Sequence, residues 1–286
     1  MRWLFGGESH RRMIRVATGL TLVMGGRIAF GPYRHFAGQP PELFRPRSFL
    51  HLLDKMPPAE VIAAAQVVGV IGALLVVGGR LPRTGFAMTW CSLLLLAGLR
   101  TSLGKLLHND TLLLLVAVPF LLAPLHERPE DDITPSRRYG FPIRAALVVI
   151  AGSYFFAGVQ KLRFSGLAWV TGDNMRHILY DAAAGTKAPT SAVSLFIADR
   201  PWLSHVGAAA ILGLELAFPL ILLSRRLRPV FAASAVLMHA ATWLTLGLDY
   251  WASAACCVVV LCSEVGMRQP REEALHEEQL TRVADE

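Results

Sequence analysis

Charge is what this chain has least of. Asp, Glu, Lys and Arg make up 17% of its 286 residues, where a soluble globular domain carries about a quarter. That excludes a soluble core wrapped in a solvated surface as the main architecture. Cysteine is scarce too: Cys91, Cys256, Cys257 and Cys262 all fall inside apolar runs. No Cys-x-x-Cys pair or Cys/His spacing of a metal site occurs, so reduced packing cysteines and no protein metal site are expected. A basic stripe is missing as well. The formal net charge is +7, yet the arginines stand at the ends of apolar runs, which argues against nucleic acid and for a role in membrane topology. The first residues, MRWLFGGESHRRM, lack the short apolar core and small-residue cleavage site of a signal peptide. The first apolar run is therefore expected to act as the insertion signal. No internal repeat or low-complexity tract is present.

What is present is hydropathy in blocks. Hydrophobic residues make up 53% of the chain and the mean hydropathy is +0.45, in runs near the roughly 20 residues a membrane-spanning helix needs. The expected fold is an all-α integral membrane protein, a bundle of about eight transmembrane helices in a multi-pass cell-membrane chain. The spans fall at 13–30, 59–79, 84–107, 111–125, 141–161, 202–224, 229–248 and 250–267. Residues 1–12 form the N-terminus, 13–267 the membrane domain and 268–286 a charged tail. Arg80 and Arg83, then Arg128, Arg137 and Arg138, then Arg225, Arg226 and Arg228 occupy alternate short connections. Positive residues stay inside, so both termini are expected to be cytoplasmic. Between spans, 31–58 reads as a proline-rich loop with a short amphipathic helix around Phe49–Leu53, and 163–201 as short interfacial or re-entrant helices.

Ionisable groups inside spans are costly and demand partners. Arg27, near the end of its span, is expected to snorkel to the headgroups. Arg100 and Glu215 are expected to pair with each other, Asp110 to cap the fourth span, and Pro219 to kink the helix at Glu215 by removing a backbone hydrogen bond. His239, on a face with Ala235, Thr242 and Trp243, reads as a helix-helix hydrogen bond or a pocket residue. Lys161 shares a face with Gly158 and Tyr154. It is either an interfacial anchor or a desolvated amine able to act as a base near neutral pH.

The run YFFAGVQKLRFSGLAWVTGDNM around Lys161 resembles the hallmark segment of the horizontally transferred transmembrane domain family, which includes the vitamin K-dependent gamma-carboxylases. MHAATWLTLGLDYW and HNDTLLLL resemble that family's late helix and its His-containing turn. The resemblance covers roughly residues 10–267. It implies Lys161 and His108 as catalytic groups, with Lys161 the base that deprotonates a quinol. It also implies Asn109, Trp169, Gly172 and His239 at the pocket for an apolar small molecule. Two departures stand beside it. Asp173-Asn174 replace the usual aromatic sequence, and the chain stops about twenty residues after its last span, without the family's large lumenal region. Protein glutamate carboxylation is therefore not expected; quinol binding or quinol-linked redox chemistry in the bilayer is. The alternatives are a non-catalytic membrane scaffold or partner subunit, and a small-solute carrier with Arg100, Glu215 and His239 as a relay.

Overall fold

The computed structural model describes residues 6–103, 109–130, 132–185 and 190–263. Their regular structure is helical, and among them no strand forms beyond one isolated bridge, Glu8 to Ser136. Helix α1 (His10–Phe30) starts where the Ser9 hydroxyl accepts the Arg12 amide and stops at Gly31, just ahead of Pro32. Helices α2 (Ala59–Val77) and α3 (Pro82–Thr101) form a hairpin. Gly72 and Gly85 face each other there so closely that a Cβ on either would meet the other's carbonyl oxygen. This is the small-residue approach that membrane helices use in place of a hydrophobic drive.

Helices α4 (Thr111–Leu121) and α5 (Arg137–Ser165) follow, then three short helices, α6 (Ala168–Thr171), α7 (Asn174–Gly185) and α8 (Thr190–Ala198). The last group is α9 (Pro201–Ala217), α10 (Leu220–Leu223), α11 (Arg228–Leu246) and α12 (Trp251–Leu261). Five stretches, His10–Phe30, Ala59–Val77, Arg137–Ser165, Pro201–Leu223 and Arg225–Leu246, are long and apolar enough to cross a membrane. Helices α4 and α12 are apolar but shorter. Apolar helices of this kind are those of a membrane protein.

Three of the sequence-predicted spans are shorter than expected. The third runs as helix only to Thr101 rather than 107, and residues 104–108 lie outside the described residues. The fourth ends at Leu121 rather than 125, two residues past an internal proline, Pro119. The eighth runs as helix only to Leu261, and the region beyond 263 lies outside the described residues. The 31–58 connection contains three 3-10 turns, Tyr33–Gly38, Pro41–Leu43 and Ser48–Leu52. In the last of these Leu50 is buried in the protein and Leu52 is exposed.

The core lies where α1, α3, α4, α5 and α12 meet, with Leu20, Met24, Phe86, Leu96, Phe120 and Val260 fully enclosed. Two polar clusters tie its opposite ends. At one, the Glu8 carboxylate takes Arg12 at 2.5 Å, Arg144 at 3.2 Å and Arg225 at 3.6 Å, and Arg12 also donates to the Ser263 hydroxyl at 3.0 Å. This joins the starts of α1 and α5 to the α10–α11 connection and the end of α12. At the other, Arg27 holds Asp110 at 2.6 Å and also pairs with Asp249. Two expectations are corrected here. Arg27 is buried rather than snorkelling, because two carboxylates meet it inside the protein. Asp110 occupies the N-cap position of α4 but makes no side-chain capping bond, since its carboxylate is engaged by Arg27 and, at 3.7 Å, by Arg100.

Candidate functional site

The site begins with the way α5 ends. Lys161 lies about one turn before its last residue. Gly166 follows with φ +57° and ψ −146°, a backbone state open essentially to glycine alone. Its N–H caps the Leu162 carbonyl at 2.8 Å. That turn folds α6 back, so that the Lys161 ammonium stands 5.4 Å from the centre of the Trp169 ring, within cation–π range.

Lys161 also donates to both oxygens of Glu215, at 2.5 and 2.7 Å. Gly158 makes this pairing possible: a Cβ there would sit 3.1 Å from the Glu215 Cβ and from Leu216, so its absence lets α9 approach α5. Pro219 breaks the helix as expected. Helix α9 stops at Ala217, and the Glu215 carbonyl accepts only a long 3.4 Å bond from the Phe218 amide. The expected Arg100–Glu215 pair does not form. Arg100 faces Asp110, and Glu215 meets Lys161, because α9 packs against α5.

A second polar group forms on Tyr154. Its hydroxyl lies 2.8 Å from His239 Nε2 and 3.5 Å from the Cys257 sulfur, while its ring stacks on Phe218 at 3.9 Å. The proton between phenol and imidazole can sit on either atom, because the ring exists as two tautomers. His239 in turn stacks on Tyr250, with centroids 5.5 Å apart. Tyr154 therefore serves the histidine, not the lysine that it trails on the same helix face.

Both groups open into one cavity of about 410 Å³, within the range of small-molecule sites. Lys161, Trp169 and Glu215 line it together with Tyr154, His239 and Tyr250, and Ile211 and Met238 supply apolar wall. A second, largely apolar cavity of about 490 Å³ shares Met175, Ile211, Met238, Thr242 and Leu246 with the first. Next to the lining residue Met175, the Arg176 guanidinium, 2.8 Å from Asp173, holds that exposed carboxyl below its ordinary value. Among the described residues no three His, Cys, Asp or Glu side chains converge as metal ligands.

The structure thus brings Lys161, Trp169 and His239 to one cavity. Asn109 does not line it: its amide donates to the Asp249 carbonyl at 2.5 Å, behind the cavity wall. Gly172 does not line it either. It terminates α6, its N–H bonding the Ala168 carbonyl, and a Cβ there would come within 2.7 Å of that oxygen. His108 lies outside the described residues. Sequence reasoning missed Glu215 as the partner of Lys161, and Tyr250 altogether.

Comparison with family models, curated proteins and solved structures finds no match. The chemistry of the cavity rests on its own atoms.

Proposed function

We propose that this chain is an eight-pass protein of the cell membrane, with both termini cytoplasmic, whose cavity binds a lipid-soluble quinol or a like apolar molecule with ionisable oxygens. The observation that carries the reading is that Lys161, Trp169 and His239, the residues on which the resemblance to the horizontally transferred transmembrane domain family rests, line one cavity with Glu215. Eight passes are supported by the polar clusters, since the ends of α3, α4 and α12 meet the two ends of α1, one of the five stretches long and apolar enough to span. The orientation rests on the arginines gathered in the connections nearest Glu8.

The geometry changes how a base would work. An ammonium already paired with a carboxylate has no lone pair to offer. A quinol hydroxyl in the cavity would pass its proton to the Glu215–Lys161 pair, with Glu215 as the acceptor. Lys161 would keep its charge against the new quinolate oxygen. One O–H bond breaks, one carboxyl O–H forms, and no electron moves in that step. Tyr154 and His239 would hold the second oxygen by hydrogen bonding.

The test is saturable binding of a short-tailed quinol, under argon, to purified protein in nanodiscs, read by quenching of tryptophan fluorescence. Lys161→Met and His239→Ala should weaken it by about tenfold or more, the loss of one charged or well-placed polar contact. Absence of saturable binding, or equal binding by wild type and both variants, overturns the proposal.

A further inference from the structure

One buried arginine lies outside the cavity but is tied to two turns whose neighbouring residues line it. Helix α1 contributes nothing to the lining. Yet Arg27, only 5% exposed, reaches from the end of α1 to two separate turns. Its Nε meets Asp110 at 2.6 Å and its Nη1 meets Asp249. Asp110 directly precedes Thr111, and Asp249 stands between Leu248 and Tyr250. Thr111, Leu248 and Tyr250 all line the cavity. One guanidinium therefore grips both turns, next to the residues they present.

Three further features bear on what this contact does. Residues 248–250 belong to no helix, so side-chain contacts have the task of fixing them. The two turns are stitched to each other independently, by the Asn109 amide on the Asp249 carbonyl at 2.5 Å and the Ser253 hydroxyl on the Asn109 carbonyl at 3.2 Å. And the Asp249 side chain is 39% exposed. Water is within its reach, so a need for solvation alone would not bring it inward to Arg27. The remaining charges facing the cluster balance: Arg27 and Arg100 against Asp110 and Asp249. Arg27 Nη2 has no hydrogen-bond partner among the described residues, which leaves the two carboxylates to set the orientation of the fork.

We propose that Arg27 is a positioning residue: by gripping Asp110 and Asp249 together it holds Tyr250 over His239 and so fixes the shape of the cavity mouth. The planar fork is what the task requires. A guanidinium offers nitrogens in fixed divergent directions to two carboxylates, where a lysine ammonium offers a single charged point. The proposal uses the functional reading above only for the cavity's purpose; the clamp itself is independent of which ligand enters.

The experiment needs no ligand. The protein in nanodiscs is treated with diethylpyrocarbonate, and the carbethoxylation rate of each histidine is followed by peptide mass spectrometry. His35 and His51 serve as internal controls. In Arg27→Gln, release of Tyr250 should speed modification of His239 by about tenfold, as expected for losing a charged hydrogen bond, with the controls unchanged. Arg27→Lys is the discriminating variant. It restores the buried charge, and with it thermal stability, but should leave His239 nearly as reactive as in Arg27→Gln. Asp249→Asn, at a partly exposed side chain, gives the same reading should Arg27→Gln fail to fold. Wild-type protection of His239 in Arg27→Lys, or an unchanged rate in Asp249→Asn, overturns the proposal. Failure of quinol binding would leave this test unaffected, so the two proposals fall separately.

Discussion

Removing the Lys161 ammonium should harm the protein far more than removing it together with its partner. Glu215 has 8% of its side chain exposed and Lys161 has 22%, so the two single substitutions are not equivalent. Lys161→Met strands a carboxylate almost out of reach of water, and breaking a buried pair in that direction costs about 3–5 kcal/mol. Glu215→Met strands an ammonium that still has the Trp169 face 5.4 Å away and a flexible stem with which to find water. Its cost is nearer the roughly 1–3 kcal/mol of one unsatisfied buried group. The double variant places two apolar side chains of similar volume across the Gly158 contact and should lie within about 1 kcal/mol of wild type, since a buried pair is often replaceable as a unit. For a chain of this size each kcal/mol corresponds to about 2–4 °C in melting temperature. Lys161→Met alone should therefore melt at least about 6 °C lower, and the double variant close to wild type. The assay is thermal unfolding in nanodiscs of one lipid composition, followed by tryptophan fluorescence. Single effects that add within about 0.5 kcal/mol would mean no coupling, and the paired-base reasoning would fall with it.

Tyr154→Phe keeps the stack on Phe218 but removes the hydroxyl shared by His239 and Cys257. It should cost about 1–3 kcal/mol for the polar atoms left without a partner, and thermal unfolding indistinguishable from wild type would refute the assignment. Gly158→Leu should cost about 1–3 kcal/mol by overpacking, because its side chain would start 3.1 Å from the Glu215 Cβ. It should also abolish the coupling seen in the Lys161/Glu215 cycle, whereas a retained coupling would show that α9 does not need that gap. Gly166→Ala forces a side chain into φ +57° and ψ −146° at about 1–3 kcal/mol. Any folded protein it gives should have lost the quinol-dependent quenching of Trp169.

The helical elements were legible from the sequence. Helical membrane segments follow from hydropathy and its period, and those are local properties that each stretch carries by itself. The break at Pro219 was equally readable, because a missing N–H acts on its own helix. The short helices between 163 and 201 followed from a connection too long and too apolar to be a loop. The lengths of the third, fourth and eighth helices were less accessible, because an apolar run does not show where its helix ends.

Partners were another matter. The cost of burying charge states that Glu215 must have a counter-ion, and the depth of Arg100 in its span pointed to that arginine rather than to Lys161. Lys161 and Glu215 stand 54 residues apart, Tyr154 and His239 85, and Arg27 and Asp110 83, separations over which no periodicity speaks. What decided between them was packing. Gly158 lets α9 come against α5 and delivers Glu215 to Lys161. The left-handed turn at Gly166 lays Trp169 over the same ammonium. The reach of Arg27 to two turns leaves Arg100 to Asp110. The sequence by itself determined that polar groups would be buried in a helical membrane protein, since hydrophobicity is additive along the chain. Which of them meet depended on helix crossings, and those exist only once every helix is in place.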